Sequence, residues 1–201
     1  MTDNLTAAPI ADLSEPEVPP RAKLFVVSTR KLAVMYLATL GLYSLYWFYK
    51  QWDAYRDSYP YDSSNGKIWP AARAIFALFY VFPLLKHIKE AAPDQPKVAQ
   101  WAYLPMAYMM TTLLLVSAVL DRLARRSIGS PVTDIFSILI LAPLLGCFIS
   151  IQDKINAACD DLDGAGNAKF TAANYAWIVC GLVFWGLMIV GLSLSDAPST
   201  F

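Results

Sequence analysis

Four stretches of this sequence carry no charged residue and are long enough to cross a lipid bilayer as helices: residues 32–49, 101–120, 135–151 and 170–195. A helix rises about 1.5 Å per residue, so a hydrocarbon core about 30 Å thick takes about 20 residues, with a range of about 17–25. Hydrocarbon offers no water to backbone N–H and C=O groups, so each stretch must pair them within itself and is expected to be helical. No strand alternation points to a barrel. Residues 68–85 form a fifth apolar stretch, interrupted only by Arg73. An Arg at a helix centre costs about 2.5–3.5 kcal/mol on insertion scales, but Arg73 lies near one end, within reach of headgroups. The expected fold is all-α, a polytopic membrane helical bundle with four or five embedded helices.

Composition agrees. Apolar residues make up 57 % of the chain and charged residues 16 %, against about 45–50 % and about 25 % in soluble proteins. A chain of 201 residues has too much surface to bury that excess in a core, so lipid is the expected solvent. The formal net charge is zero, which gives no basic footprint for nucleic acid. Cys147, Cys159 and Cys180 show no paired spacing, and are read as packing residues rather than a disulfide framework or zinc site.

Residues 1–29 read as a disordered or surface-lying N-terminal tail, 30–195 as the membrane helical domain and 196–201 as a C-terminal tail. Residues 1–20 carry Asp3, Asp12, Glu15 and Glu17 and no apolar run, unlike a signal peptide. Residues 24–27 are a short apolar patch expected at the membrane surface. Ser130-Pro131 is an expected helix start, with Ser as cap and Pro in the first turn. Ile151, Ile155, Cys159 and Leu162 share one helical face, with Gln152, Asp153, Lys154 and Asp160 on others. The third confident helix is therefore expected to run to about Leu162, laying an amphipathic end on the bilayer or a neighbour, with Gly164 as its stop. Lys and Arg are retained on the cytoplasmic side of short loops. Five crossings place more of them on the N-terminal side, which favours a cytoplasmic N-terminus and an external C-terminus.

The densest feature is the aromatic run Tyr43, Tyr46, Trp47, Phe48, Tyr49 and Trp52. Tyr and Trp rings favour the headgroup layer, so the run reads as an interfacial belt, or as a ring-lined site for a lipid headgroup or partner helix. Gly41 and Ser44 precede it and would let another backbone approach. The candidate packing or interfacial residues are Gly41, Tyr43, Tyr46, Trp47, Tyr49 and Trp52. The pattern Thr39-x-Gly41-x-Tyr43-x-x-Tyr46-Trp47-x-Tyr49-Lys50-x-Trp52, preceded by Ser28-Thr29-Arg30-Lys31-Leu32, resembles a bacterial family of small multi-span membrane proteins classed as a domain of unknown function. Asn167-x-x-Phe170-Thr171-x-x-Asn174, before an apolar run with Trp185, is similar to the same family. The resemblance covers about residues 24–57 and, more loosely, 152–191. It implies a bacterial membrane location, with no established activity and no catalytic residues to carry over.

Signals for chemistry are weak. His87, the sole histidine, sits between Lys86 and Lys89 and reads as a solvated group at headgroup level, with no nucleophile placed beside it. Asp160-Asp161-x-Asp163-Gly164-x-Gly166-Asn167 lacks the alternating ligands and distal Glu of a calcium loop and reads as a helix end and turn. The four confident stretches hold no ionisable group, the usual mark of an ion or proton pathway. Asp134 lies in the first turn of its helix, and Pro105 near its helix start. No catalytic residue, cofactor or metal is assigned. The leading expectation is a non-enzymatic multi-pass protein of the bacterial cytoplasmic (inner) membrane, an accessory, regulatory or lipid- and partner-packing component. Its partners are the bilayer and other membrane proteins or copies of itself, not nucleic acid. A transporter or channel for a neutral or hydrophobic solute is the alternative, and a membrane enzyme the third reading.

Overall fold

A computed structural model describes residues 23–195, with side chains through residue 191. Of the two expected tails, residues 1–22 and 196–201 lie outside the described residues. Among the described residues helix is the only regular structure. An extended strap, residues 23–28, leads into α1 (Thr29–Ala38) and α2 (Tyr43–Arg56). Next come α3 (Pro70–Ile75), α4 (Ala77–Ala91), the short α5 (Pro96–Ala99) and α6 (Tyr103–Ala124). Helices α7 (Val132–Leu139) and α8 (Leu141–Ala158) run on from each other, and a 3₁₀ turn at Ala165–Asn167 precedes α9 (Ala172–Ser195). Three helices are long and apolar enough to cross a membrane: Tyr103–Ala124, Val132–Ala158 and Ala172–Gly191. Large apolar residues on their outer faces, such as Leu115, Val119, Leu139, Val183 and Leu187, are exposed.

Residues 32–49 are not one helix, which corrects the expected first span. Helix α1 stops at Ala38, and the chain turns through Leu40 at φ 53 and Gly41 at φ 82 before α2 begins. Both angles are left-handed, which glycine adopts freely and leucine at a cost of about 1–2 kcal/mol. The Thr39 hydroxyl joins the two helices, donating to the Met35 carbonyl at 2.7 Å and accepting the Tyr43 N–H at 3.0 Å. The open ends of the hairpin meet: Lys23 N–H donates to Ser58 Oγ at 2.8 Å, and Phe25 N–H to Gln51 Oε1 at 3.1 Å. Uniform apolarity cannot reveal such a turn, because residues 32–49 are uncharged on both sides of it.

The stretch 68–85 is also divided, at Phe76, which caps both α3 and α4. Helix α4 ends where the hairpin opens. Lys89 Nζ donates to the carbonyls of Val98 and Trp101 at 2.9 Å and also to that of Ala99. Gln95 Nε2 donates to Ala157 O at 3.1 Å, at the end of α8. Residues 23–102 therefore start and finish at one end of the bundle, the strap end. From there α6 leads to the far end, α7 and α8 return, and α9 leads away again beside α1. Trp185 Nε1 of α9 donates to Leu37 O at 2.9 Å.

The core is aromatic where α1, α2 and α8 meet. Phe148 lies 5.4 Å from the Tyr36 ring and 5.2 Å from the Trp47 ring, centroid to centroid. The expected face of α8 is present at Ile151 and Ile155, both buried. It does not reach Leu162: α8 ends at Ala158, the chain turns at Asp160 with φ 56, and Leu162 is exposed. Of the two expected supports, bilayer or neighbour, this end rests on neighbours: Gln152 and Asn156 are fully buried against the strap, and Gln95 bonds to Ala157 O. At the start of α7, Ser130 Oγ donates to Asp134 Oδ2 at 2.5 Å instead of capping the backbone.

Candidate functional site

The strap 23–28 is held against the protein by side-chain amides, with Val27 and Ser28 buried, Leu24, Phe25 and Val26 half-buried and Lys23 exposed. Gln51 Nε2 donates to Phe25 O at 3.0 Å while its Oε1 accepts the Phe25 N–H. Gln152 Nε2 donates to the same carbonyl at 3.2 Å, Asn167 Nδ2 to Val26 O at 3.1 Å and Asn156 Nδ2 to Val27 O at 3.0 Å. Three successive carbonyls of an extended segment are thus satisfied without a sheet partner. Gln152 and Asn156 are themselves joined at 2.7 Å, and Gln152 Oε1 accepts Trp47 Nε1–H at 2.6 Å. Buried polar groups persist when paired in this way. Gly164 lies against the strap, where a Cβ would come within 2.6 Å of Ser28 N.

Lys31 extends the cluster. Its ammonium is buried, donates to Asn167 Oδ1 at 2.8 Å and Lys169 O at 2.7 Å, and lies 5.9 Å from the Phe170 ring. Burial pushes its pKa down. No carboxylate among the described residues pairs with it.

The aromatic run does not lie in one layer. Trp47 and Trp52 are fully buried and Tyr43 nearly so, while Tyr46 and Tyr49 are exposed. Trp47 and Trp52 therefore belong to the core and not to a belt: one is satisfied by Gln152, the other stacks under the Arg73 guanidinium at 4.3 Å. Cation–π stacking of this kind also explains how Arg73 is accommodated in an apolar stretch. His87 is buried against the Tyr55 ring at 4.2 Å with no partner for Nε2 among the described residues, so it is not solvated at headgroup level. Burial pushes its pKa down to about 4. Asp161 accepts the N–H groups of Ala165 and Gly166, both at 2.8 Å, and so shapes the turn before α9.

The two stretches that carry the family resemblance come together in space. Thr39, Tyr43 and Tyr46 from the first, and Thr171 and Asn174 from the second, line one groove of about 420 Å³ with Met35 and Trp177. The groove opens among exposed Leu42, Leu45, Tyr46 and Trp177. Thr171 and Asn174 cap the start of α9 reciprocally, Thr171 N–H donating to Asn174 Oδ1 at 3.0 Å. Sequence reasoning missed Gln51, Gln152 and Asn156, since a polar residue on a helix reads as surface until its partners are known. Compared with protein-family models, curated proteins and solved structures, the chain matches none.

Proposed function

We propose that this chain is a non-enzymatic, multi-pass protein of a bacterial cytoplasmic membrane that holds a lipid acyl chain in the groove between α1, α2 and α9. The carrying observation is that groove: it is mainly apolar, it opens on an apolar surface, and both stretches resembling the small multi-span family contribute to it. Pockets of this size with few polar groups suit apolar ligands.

In this reading α6, the α7–α8 rod and α9 cross, and α1–α2 and α3–α4 enter and leave from the strap end, giving five embedded segments. The charges support that orientation. Arg122, Arg125 and Arg126 lie at the far end, and every other described Lys and Arg lies on the strap side. The positive-inside rule then makes the strap end cytoplasmic.

The test is lipid retention. Purified wild type should keep phospholipid through gel filtration in mild detergent, and Ala173→Trp, which fills the groove, should lose most of it while eluting at the same volume. Equal phospholipid in both would contradict the reading.

A further inference from the structure

We infer that the far end of the bundle contains a water-filled vestibule that binds a small monovalent cation, with Asp121 supplying the charge. Two adjoining cavities of about 330 Å³ each lie there, sharing Ser137, Ile138 and Met188 in their walls. The inner one reaches the hairpin turn at Leu40 and Gly41, and the outer one opens among Ser127, Ser130 and Asp134. At about 30 Å³ per water, the inner cavity has room for roughly ten.

Three observations point to occupancy by water and a cation. First, the turn is non-helical backbone at the level of Leu114, midway along α6, which lines the same cavity. At membrane depth such backbone persists only where it is buried in protein or lines a wet cavity. Second, Tyr36 is 2 % exposed, yet its hydroxyl makes no hydrogen bond with a described residue. That hydroxyl faces the cavity beside Gly41, 3.4 Å from where a Cβ would stand. The hydroxyls of Ser44 and Ser117, in the same wall, are also without a described partner. Ser44 and Ser117 are half-buried, and all three hydroxyls are placed where water or a bound ion in the cavity can pair with them.

Third, the charges in the wall have one sign. Asp121 and Asp134 line the two cavities, and no Lys or Arg does. Asp134 is engaged by Ser130, whereas the Asp121 carboxylate makes no hydrogen bond or ion pair with a described residue and feels Arg125, outside the wall, only beyond ion-pair distance. A carboxylate without a hydrogen bond, among hydroxyls in a wall that holds no Lys or Arg, favours a small monovalent cation, such as a protonated amine, over an anion. Behind the turn the Tyr36, Phe148 and Trp47 rings close the path. The site is a dead-end chamber and not an open pore.

Labelling kinetics in open membrane fragments test this without reference to orientation. Cys147, Cys159 and Cys180 are replaced, and Ser117→Cys, or Ser44→Cys should the first fail to assemble, reports from the chamber. Cationic and anionic thiosulfonates are compared, each relative to its rate with free cysteine. The cationic reagent should be favoured about tenfold, as for a focused negative wall. Asp121→Asn should abolish that preference. Methylammonium chloride should slow the cationic reagent more than a bulky tetraalkylammonium chloride at equal ionic strength. An unreactive cysteine in assembled protein, equal rates for the two reagents, a preference that survives Asp121→Asn, or equal slowing by both salts would each overturn the inference.

Discussion

The backbone of Gly181 in α9 lies against the carbonyl of Ala38 in α1, so close that a Cβ on Gly181 would stand 1.9 Å from that oxygen and 2.7 Å from its carbon. Small residues permit this backbone approach where helices pack in lipid. Gly181→Ala should destabilise the protein by about 1–3 kcal/mol or more, as overpacking does. Gly186→Ala and Gly191→Ala, which meet nothing within 4 Å, should be near neutral. Thermal unfolding in one detergent checks the contrast, and equal midpoints for all three would refute the contact.

The amide cluster gives a second expectation. Gln152→Leu removes the acceptor of Trp47 Nε1–H and a donor to Phe25 O. At about 1–3 kcal/mol for each buried group left unpaired, the strap should loosen. Trypsin should then cut at Lys23 faster than in wild type, with Gln152→Glu intermediate because it keeps the acceptor. Unchanged cleavage would mean that the strap is held by packing alone.

The three helices long and apolar enough to cross a membrane and the face of Ile151 and Ile155 were legible in the sequence, because uninterrupted apolarity and helical spacing are properties of one segment. It hid the turn at Leu40, since the residues on either side are equally apolar. It hid Gln152 and Asn156, whose burial depends on carbonyls more than a hundred residues away in the chain. Gly41 stood out in the sequence for close packing; it serves the turn, with Leu141 Cδ2 3.1 Å from where its Cβ would stand, while the closest backbone approach on α9 is that of Gly181 to Ala38. Asp121 escaped notice because it lies one residue beyond the uncharged stretch 101–120.

Gly41 should therefore respond to backbone conformation more than to bulk. At φ 82 any β-carbon is strained, and one here would also meet Leu141 Cδ2 at 3.1 Å. Asn tolerates left-handed angles better than branched or apolar residues do. Gly41→Asn should lose less stability than Gly41→Leu, with Gly41→Leu down by about 1–2 kcal/mol or more. Equal losses in a melting series would remove the conformational explanation.

His87 predicts a pH dependence. Burial lowers its pKa from 6.5 to about 4, so the unfolded chain takes up a proton first as the pH falls. The stability that neutral His87 contributes is complete above pH 6.5 and is lost between pH 6.5 and about 4. The shift corresponds to about 3 kcal/mol at 1.36 kcal/mol per unit. His87→Leu should unfold with a visibly flatter dependence over that range. Parallel wild-type and variant profiles would show that the imidazole is not held neutral.

The most direct measurement is the sidedness of five exposed positions, each replaced singly by cysteine in a background without Cys147, Cys159 and Cys180, and labelled with an impermeant reagent in sealed cells and in opened membranes. Lys23, Tyr61, Asp94 and Asp163 should report one side, the cytoplasmic one, and Ser127 the other. If 32–49 and 68–85 each crossed, Tyr61 would report the side opposite Lys23 and Asp94; if only 32–49 crossed, Tyr61 and Asp94 would both oppose Lys23. Tyr61 labelled from outside while Lys23 is protected would contradict the hairpin and the three-crossing fold built on it.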